Sequence, residues 1–298
     1  MKKLLFTGSN GFLGRNIIPL LANHYSTATL DINNADIKCN LSSTIPVIKE
    51  KYQVVLHAAG KAHSIPKTEE DKQVFFDINY QGTINLCKGL EKSGIPKSFI
   101  FISTVAVYGC DFGDNITEEH SLDGNTPYAL SKIQAENYLI DWCKQYNVIL
   151  SILRPSLIAG PNPPGNLGDM IKGIHSGFYF NIAGGKAKKS VLMIQDIANL
   201  VLMMENKGGT FNVCDDEQPS FYELSNLISK QLNKKKPLNI PLWIAKAFAL
   251  AGNLLGKNAP INSLKLKKIT KSLTFSNKKA KENLGWVPIS VLENFKIE

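Results

Sequence analysis

Three features of this sequence predict an α/β fold, with helices wound on both faces of a parallel sheet. The chain opens with an apolar run that meets a glycine-rich turn and then a helix-forming segment. Further apolar runs alternate with helical patterns along the first half. Those runs are apolar nearly throughout instead of alternating with polar residues, as strands covered on both faces must be. Ligands on such sheets lie beyond the carboxyl ends of the strands, so residues just past each run are the first candidates for function.

The first run, Lys3 to Thr7, ends in Gly8-Ser9-Asn10-Gly11-Phe12-Leu13-Gly14, and Arg15 to Leu21 reads as a helix. Strand, glycine turn and helix together are the context of a dinucleotide-binding loop, in which pyrophosphate sits at the helix N-terminus. Pro19 is expected to remove one hydrogen bond and bend that helix. Thr27 to Leu30 is a second strand, ending at Asp31 seventeen residues after Gly14. An acid at that distance is placed to bind ribose hydroxyls and to repel a 2′-phosphate, which favours NAD over NADP. Arg15 nearby would suit a phosphorylated ribose, so NADP is not excluded.

Gln53 to Ala59 is the third strand, with small residues at its end where a flat cofactor can pass; His57 within it reads as structural. Glu69 to Lys92 reads as one long helix, closed by Ser93-Gly94 and Pro96. Ser98 to Ser103 is the fourth strand, with Thr104 at its end, and Val148 to Arg154 is the fifth, leading into Pro155. Beyond Arg154 the texture changes to a Pro- and Gly-rich crossing, short helices and brief strands such as Thr210 to Val213.

Between the fourth and fifth strands, Thr126-Pro127 introduces a helix beginning Tyr128-Ala129-Leu130-Ser131-Lys132 and running to Lys144. Residues four apart share a helix face, so the Lys132 ammonium can reach the space beside the Tyr128 phenol. A fixed cation there favours phenolate and makes Tyr128 a candidate general base. Tyr-x-x-x-Lys alone is common by chance; its position on this framework gives it weight.

The composition, 44% hydrophobic and 20% charged, is that of a soluble globular chain, expected in the cytoplasm. The N-terminal apolar run is too short for a signal peptide, and no run approaches a membrane span. Five scattered cysteines and five dispersed histidines show no metal-ligand spacing, so no metal is expected. The net charge of +9 is concentrated in part between Lys257 and Lys281, which holds eight lysines but no aromatic series for stacking on bases, so a nucleic-acid partner is not expected. Pro241 to Ala251 is the most apolar helix. Core or oligomer packing is its favoured reading, with weak peripheral membrane contact as the alternative.

Taken in order, Gly8-x-x-Gly11-x-x-Gly14, Asp31, His57-Ala58-Ala59, Ser103-Thr104 before Val107-Tyr108-Gly109, Tyr128-x-x-x-Lys132 and Arg154-Pro155 resemble the extended short-chain dehydrogenase/reductase family, in its nucleotide-sugar epimerase and reductase branch. Gln195 to Ala198, Gly209 to Val213 and Leu284-Gly285-Trp286-Val287-Pro288 extend the resemblance to the second half. It implies a Rossmann-type NAD-binding domain over residues 1–155 that carries the catalytic residues, and a smaller, mixed substrate-binding region over 156–298 with short segments returning to the sheet. Tyr128 would be the base, Lys132 would hold the nicotinamide ribose and lower the Tyr128 pKa, and Thr104 would bond the reacting hydroxyl. Gly8, Asn10, Gly11, Phe12, Leu13, Gly14, Asp31, Asn40, Leu41, Ala58, Ala59 and Asn79 would bind the cofactor. Ser156, Asn166, Leu167 and Lys189 would join Thr104 and Tyr128 on the substrate, a nucleoside-diphosphate sugar.

Three departures from the family pattern refine this. Asn40 stands where Asp is frequent, and its amide oxygen can still accept from adenine. Lys189 replaces an arginine, turning a bidentate phosphate grip into a point charge. Val105-Ala106 follow Thr104 where dehydratases carry Asp-Glu, which argues against loss of water. The resemblance therefore implies a 4-epimerase of a nucleotide sugar, with a UDP-sugar favoured. A reductase of 4-keto-6-deoxy nucleotide sugars is the close alternative, and an NAD-binding regulator without turnover is the reading from another class. A homodimer through the helices of 69–92 and 128–144 is also implied.

Overall fold

Leu4, Leu5 and Phe6 are fully buried in β1 (Lys2–Thr7), the strand around which the sheet is laid. The computed structural model describes residues 1–62, 64–254 and 262–297; His63 and Lys257, counted above, lie outside them. After β1 come α1 (Phe12–Leu21), β2 (Tyr25–Asp31), β3 (Ile37–Lys38), β4 (Val54–His57), α2 (Glu69–Phe76), α3 (Gly82–Ser93) and β5 (Ser98–Ile102). β6 (Gly113–Ile116), α4 (Pro127–Gln145), β7 (Ile149–Pro155), β8 (Leu157–Ala159), α5 (Gly165–His175), β9 (Asn181–Ile182) and β10 (Val191–Met193) follow. α6 (Ile194–Met204), β11 (Gly209–Val213), α7 (Phe221–Gln231), β12 (Asn239–Ile240), α8 (Leu242–Leu254), α9 (Ser263–Thr270) and β13 (Leu273–Phe275) precede α10 (Lys278–Leu284) and α11 (Val291–Asn294).

The seven-stranded sheet runs β11-β7-β5-β4-β1-β2-β3, and every pair in it is parallel. The chain steps outward from β1 to β3, then returns past β1 to β4 and continues the other way. That reversal opens a crevice at the carboxyl ends of β1 and β4, where ligands of open α/β sheets bind. One apolar layer joins β1, β4, β5 and β7 to α1, α6 and α10; a second joins the opposite face to α3 and α4. The fold is thus the doubly wound Rossmann type expected.

Residues beyond β7 are less separate than a distinct domain would be. β11 pairs along β7 from Gly209 opposite Ser151 to Val213 opposite Pro155, so residues past 156 complete the main sheet. The remainder packs around α5, α7 and α11, with the small parallel pairs β8–β10, β9–β12 and β6–β13. α9 rests on α8 through Leu266.

The expected long helix over 69–92 is divided. α2 begins under a Thr68 cap reinforced by Asp71, then residues Asp77–Gln81 form a π-turn before α3 continues. An extra residue in the turn rotates the following side chains, a device common at functional sites. Here it delivers Asn79 into the interior. In the apolar helix α8 only Ala245 and Ala249 meet the expectation of core packing, because its bulkiest side chains are exposed.

Candidate active site

The glycine turn is built to bring backbone close to backbone. Gly8 has φ of +78°, and a Cβ there would lie 2.7 Å from the Ala59 Cα at the end of β4. At Gly14 a Cβ would lie 2.2 Å from the Ser9 carbonyl oxygen, so α1 can approach the loop only as glycine. Asp31, at the tip of β2, accepts from the Asn10 N–H at 2.8 Å and from the Ile32 N–H at 2.7 Å. It therefore braces the loop while facing the crevice. No side chain caps α1, and the Ser9 hydroxyl is buried without a partner among the described residues. An uncapped helix N-terminus beside an unsatisfied hydroxyl suits the pyrophosphate of a dinucleotide. Phe12 and Leu13, the first two residues of α1, pack against the core.

Deeper in the crevice, Asn79 ties three elements together. Its amide oxygen accepts from the Lys61 N–H at 2.7 Å, and its amide nitrogen donates to the Lys61 carbonyl at 3.1 Å and to Ser131 Oγ at 2.9 Å. His57 is enclosed between the Thr7 and Thr83 hydroxyls at 2.6 and 2.9 Å, and burial lowers its pKa to about 3. It stays neutral and structural. Leu41 is buried and its carbonyl accepts from Asn85, whereas the Asn40 amide oxygen already accepts from the Ser42 hydroxyl at 2.8 Å and its N–H at 3.2 Å.

α4 starts under Thr126, whose side chain accepts from the Ala129 N–H at 3.1 Å, with Pro127 in the first turn. This sets Tyr128 at the mouth of the crevice, where its ring lies 6.3 Å from that of Phe75. Burial raises the Tyr128 pKa, and the side chain of Thr104, at the end of β5, works against the rise; the Thr104 hydroxyl oxygen accepts from the Ala106 N–H at 3.1 Å. Lys132 is buried, donates to the Ile102 carbonyl at 2.7 Å and lies 4.4 Å from the Phe101 ring centroid. Burial lowers its pKa to about 8, while Glu136 one turn along pushes the other way. The expected lowering of the Tyr128 pKa by Lys132 is not found: the ammonium is held on the end of β5, and burial dominates the phenol.

Beneath these residues runs a buried network whose hub, Glu136, the sequence did not single out. Glu136 accepts from the Ser103 hydroxyl and from Arg154 at 3.1 and 2.6 Å. Arg154 also donates to the Tyr108 hydroxyl at 2.9 Å, which donates to Asn212 of β11 at 2.6 Å. α4, β5, β7 and β11 are thereby locked at the site. The one local signal was an acid four residues beyond Lys132 on the same, buried helix face.

The candidate substrate residues are more dispersed. Ser156 follows β7 with a buried hydroxyl that has no partner among the described residues. Asn166 is exposed in the first turn of α5, whereas the Leu167 side chain is buried in the α5–α7 core. Lys189 donates to the Lys268 and Lys271 carbonyls, each at 3.1 Å, so it ties down the end of α9 with two of its three protons.

The sequence pattern of the NAD dependent epimerase/dehydratase family matches residues 4–214, which span the glycine loop, Thr104, Tyr128, Lys132 and Arg154. The chain belongs to this family. As a member of the NAD dependent epimerase/dehydratase family it is an NAD(P)-dependent enzyme of the extended short-chain dehydrogenase type. It is 28% identical to UDP-glucose 4-epimerase of Vibrio cholerae over 99% of this chain and 94% of that protein. GDP-6-deoxy-D-mannose reductase of Pseudomonas aeruginosa is 26% identical over 76% of this chain and 79% of its own length. The structure of RMD from Pseudomonas aeruginosa complexed with NADPH superposes with a TM-score of 0.75 at 22% identity, covering 99% of this chain and 96% of that one. Family membership makes a nicotinamide dinucleotide the cofactor, and the uncapped α1, Ser9 and Asp31 fit it.

Proposed function

We propose that this enzyme is a 4-epimerase of a nucleotide sugar, with a UDP-sugar as substrate. The observation that carries the reading is the convergence of Thr104, at the end of β5, with Tyr128 and the buried Lys132 of α4, with no acid–base pair after Thr104. Likeness to the Vibrio cholerae UDP-glucose 4-epimerase across nearly the whole chain supports the substrate class. Bound NAD supplies a hydride acceptor and, for the return step, the donor. Tyr128 takes the proton from the sugar C4 hydroxyl as hydride leaves C4, and returns a proton to the C4 oxygen after the keto sugar has turned over and been reduced on its other face. Thr104 holds that hydroxyl in line and stabilises negative charge on the phenol oxygen. Lys132 presents a cation at the end of β5, where it fixes the cofactor ribose and favours phenolate in the assembled complex. Ser156 and Asn166 contact the sugar and its diphosphate, and Lys189 adds positive charge. Val105 and Ala106 have no proton to transfer, so the keto sugar keeps its other hydroxyls.

Tyr128→Phe is expected to lower turnover by at least ~10²-fold while the protein still binds cofactor; near-normal turnover in that variant would refute the assignment. A second reading, reduction of a 4-keto sugar nucleotide, draws on the Pseudomonas aeruginosa reductase relative. Quantifying the nucleotide released when cofactor-free buffer-purified protein is denatured separates the two. Near-stoichiometric NAD identifies an enzyme that recycles its cofactor in place, and empty protein that binds NADH or NADPH reversibly identifies a reductase.

A further inference from the structure

Helix α8 is packed inside out. It turns Ala245, 2% exposed, and Ala249, 1% exposed, onto α9 and the β9–β12 pair, and leaves Trp243 at 72%, Phe248 at 61% and Leu250 at 65% outward. Burial of apolar area would favour the reverse, since a large side chain removes several times more surface from water than alanine. Trp243 and Leu250 are two turns apart, on the side away from the two alanines. The exposed apolar surface continues at Leu238, 72% exposed, whose carbonyl accepts from the N–H of Asn181 next to the half-exposed Phe180. Patches of this kind on soluble proteins mark interaction surfaces.

Its charge surroundings specify the partner. Residues 224–281, which contain α8, hold thirteen lysines and no Asp or Glu. The rest of the chain keeps 21 basic residues against 25 acidic ones, so all of the net positive charge resides in this stretch. Lys246 is exposed on α8 itself and Lys234, Lys235 and Lys236 precede β12; Lys267 and Lys268 of α9 and Lys271 just past it add charge, with Lys267 and Lys271 stacked on Phe112 and Lys268 paired with Asp111. A second copy of this chain would bring the same lysines against themselves, and like charges repel. An anionic lipid surface accepts both parts at once: the aromatic and leucine side chains enter the headgroup boundary while the lysines sit over the phosphates. No helix among the described residues is long and apolar enough to cross a membrane, so contact is with one surface.

We propose that α8 and the lysine-rich segments beside it dock this enzyme on anionic lipid bilayers. Trp142 and Trp286 are buried, which leaves Trp243 as the single exposed tryptophan among the described residues and an intrinsic reporter. The whole protein is mixed with vesicles of phosphatidylcholine containing phosphatidylglycerol, or of phosphatidylcholine alone, then floated on a gradient and its tryptophan emission recorded. Flotation with the anionic vesicles only, a blue-shifted emission, and release by high salt are expected. Trp243→Glu is expected to abolish flotation and the shift, Trp243→Phe to retain flotation, and Lys246→Gln to weaken partitioning by roughly fivefold. Sugar-nucleotide turnover in solution should be unchanged in all three variants, which also verifies their folding. Absence of flotation, equal flotation with both vesicle types, or a dimer in solution that Trp243→Glu converts to monomer would each overturn the proposal.

Discussion

Lys132 carries its charge where the fold resists it. Its pKa is lowered to about 8 by burial, against an ordinary 10.5, so the folded protein gives up the proton more readily than the unfolded chain does. The sign follows: below about 8 the buried ammonium costs stability, and the cost is relieved as pH rises from about 8 toward 10.5. At neutral pH a shift of this size amounts to about 3 kcal/mol, and Lys132→Met would orphan the Ile102 carbonyl at a cost of about 1 kcal/mol. Lys132→Met is therefore expected to be about 2 kcal/mol more stable by urea denaturation and inactive. A variant both less stable and active would contradict the assignment. In the parent enzyme, turnover should decline above about pH 8 as the ammonium discharges.

α4 carries the site because it is pinned at two levels. Its first turn is set by Thr126 and Pro127, a local pattern that the sequence displays openly. Its second pin is the Glu136–Arg154 pair, and removing one partner leaves the other charge buried. Glu136→Gln is expected to cost about 3–5 kcal/mol, part of it recovered in Glu136→Gln with Arg154→Met, as read from denaturation midpoints. The difference in legibility has a physical cause. Gly8, Asp31, Thr104 and Tyr128 stand at strand or helix ends, where punctuation in the chain marks them. Glu136 acquires its role only when β5 and β7, far apart in sequence, bring Ser103 and Arg154 to it. The π-turn was hidden for a similar reason. Residues 69–92 have an unbroken helical pattern, and the extra residue is justified only by Lys61 and Ser131, which Asn79 must reach. In α8 the apolar content was legible but the facing was not, because close approach to α9 selects alanine for the contact.

For the molecule as a whole, two buried groups set opposing responses to acid. His57 is lowered to about 3 by burial, so between pH 6.5 and about 3 the unfolded chain binds a proton the fold refuses and stability falls as pH falls. Asp196, bonded by Trp286 and the Ile289 N–H at 3.0 Å each, is raised to about 6 by burial. Between about 6 and 3.8 the fold keeps a proton the unfolded chain releases, so stability from this group is lost as pH rises. Each slope is at most about 1.4 kcal/mol per pH unit, and over the shared range they nearly cancel. Asp196→Asn is expected to make the urea midpoint fall more steeply below pH 6 than it does in the parent; parallel profiles would refute this account. The parallel alignment of β11 with β7 bears on how such an enzyme diversifies. Asn212 closes the buried network from a strand that lies more than fifty residues past Arg154 in the chain, so the second half is not a detachable cassette. Replacing the residues past 156 as a block would remove both the strand beside β7 and the Asn212 partner of Tyr108.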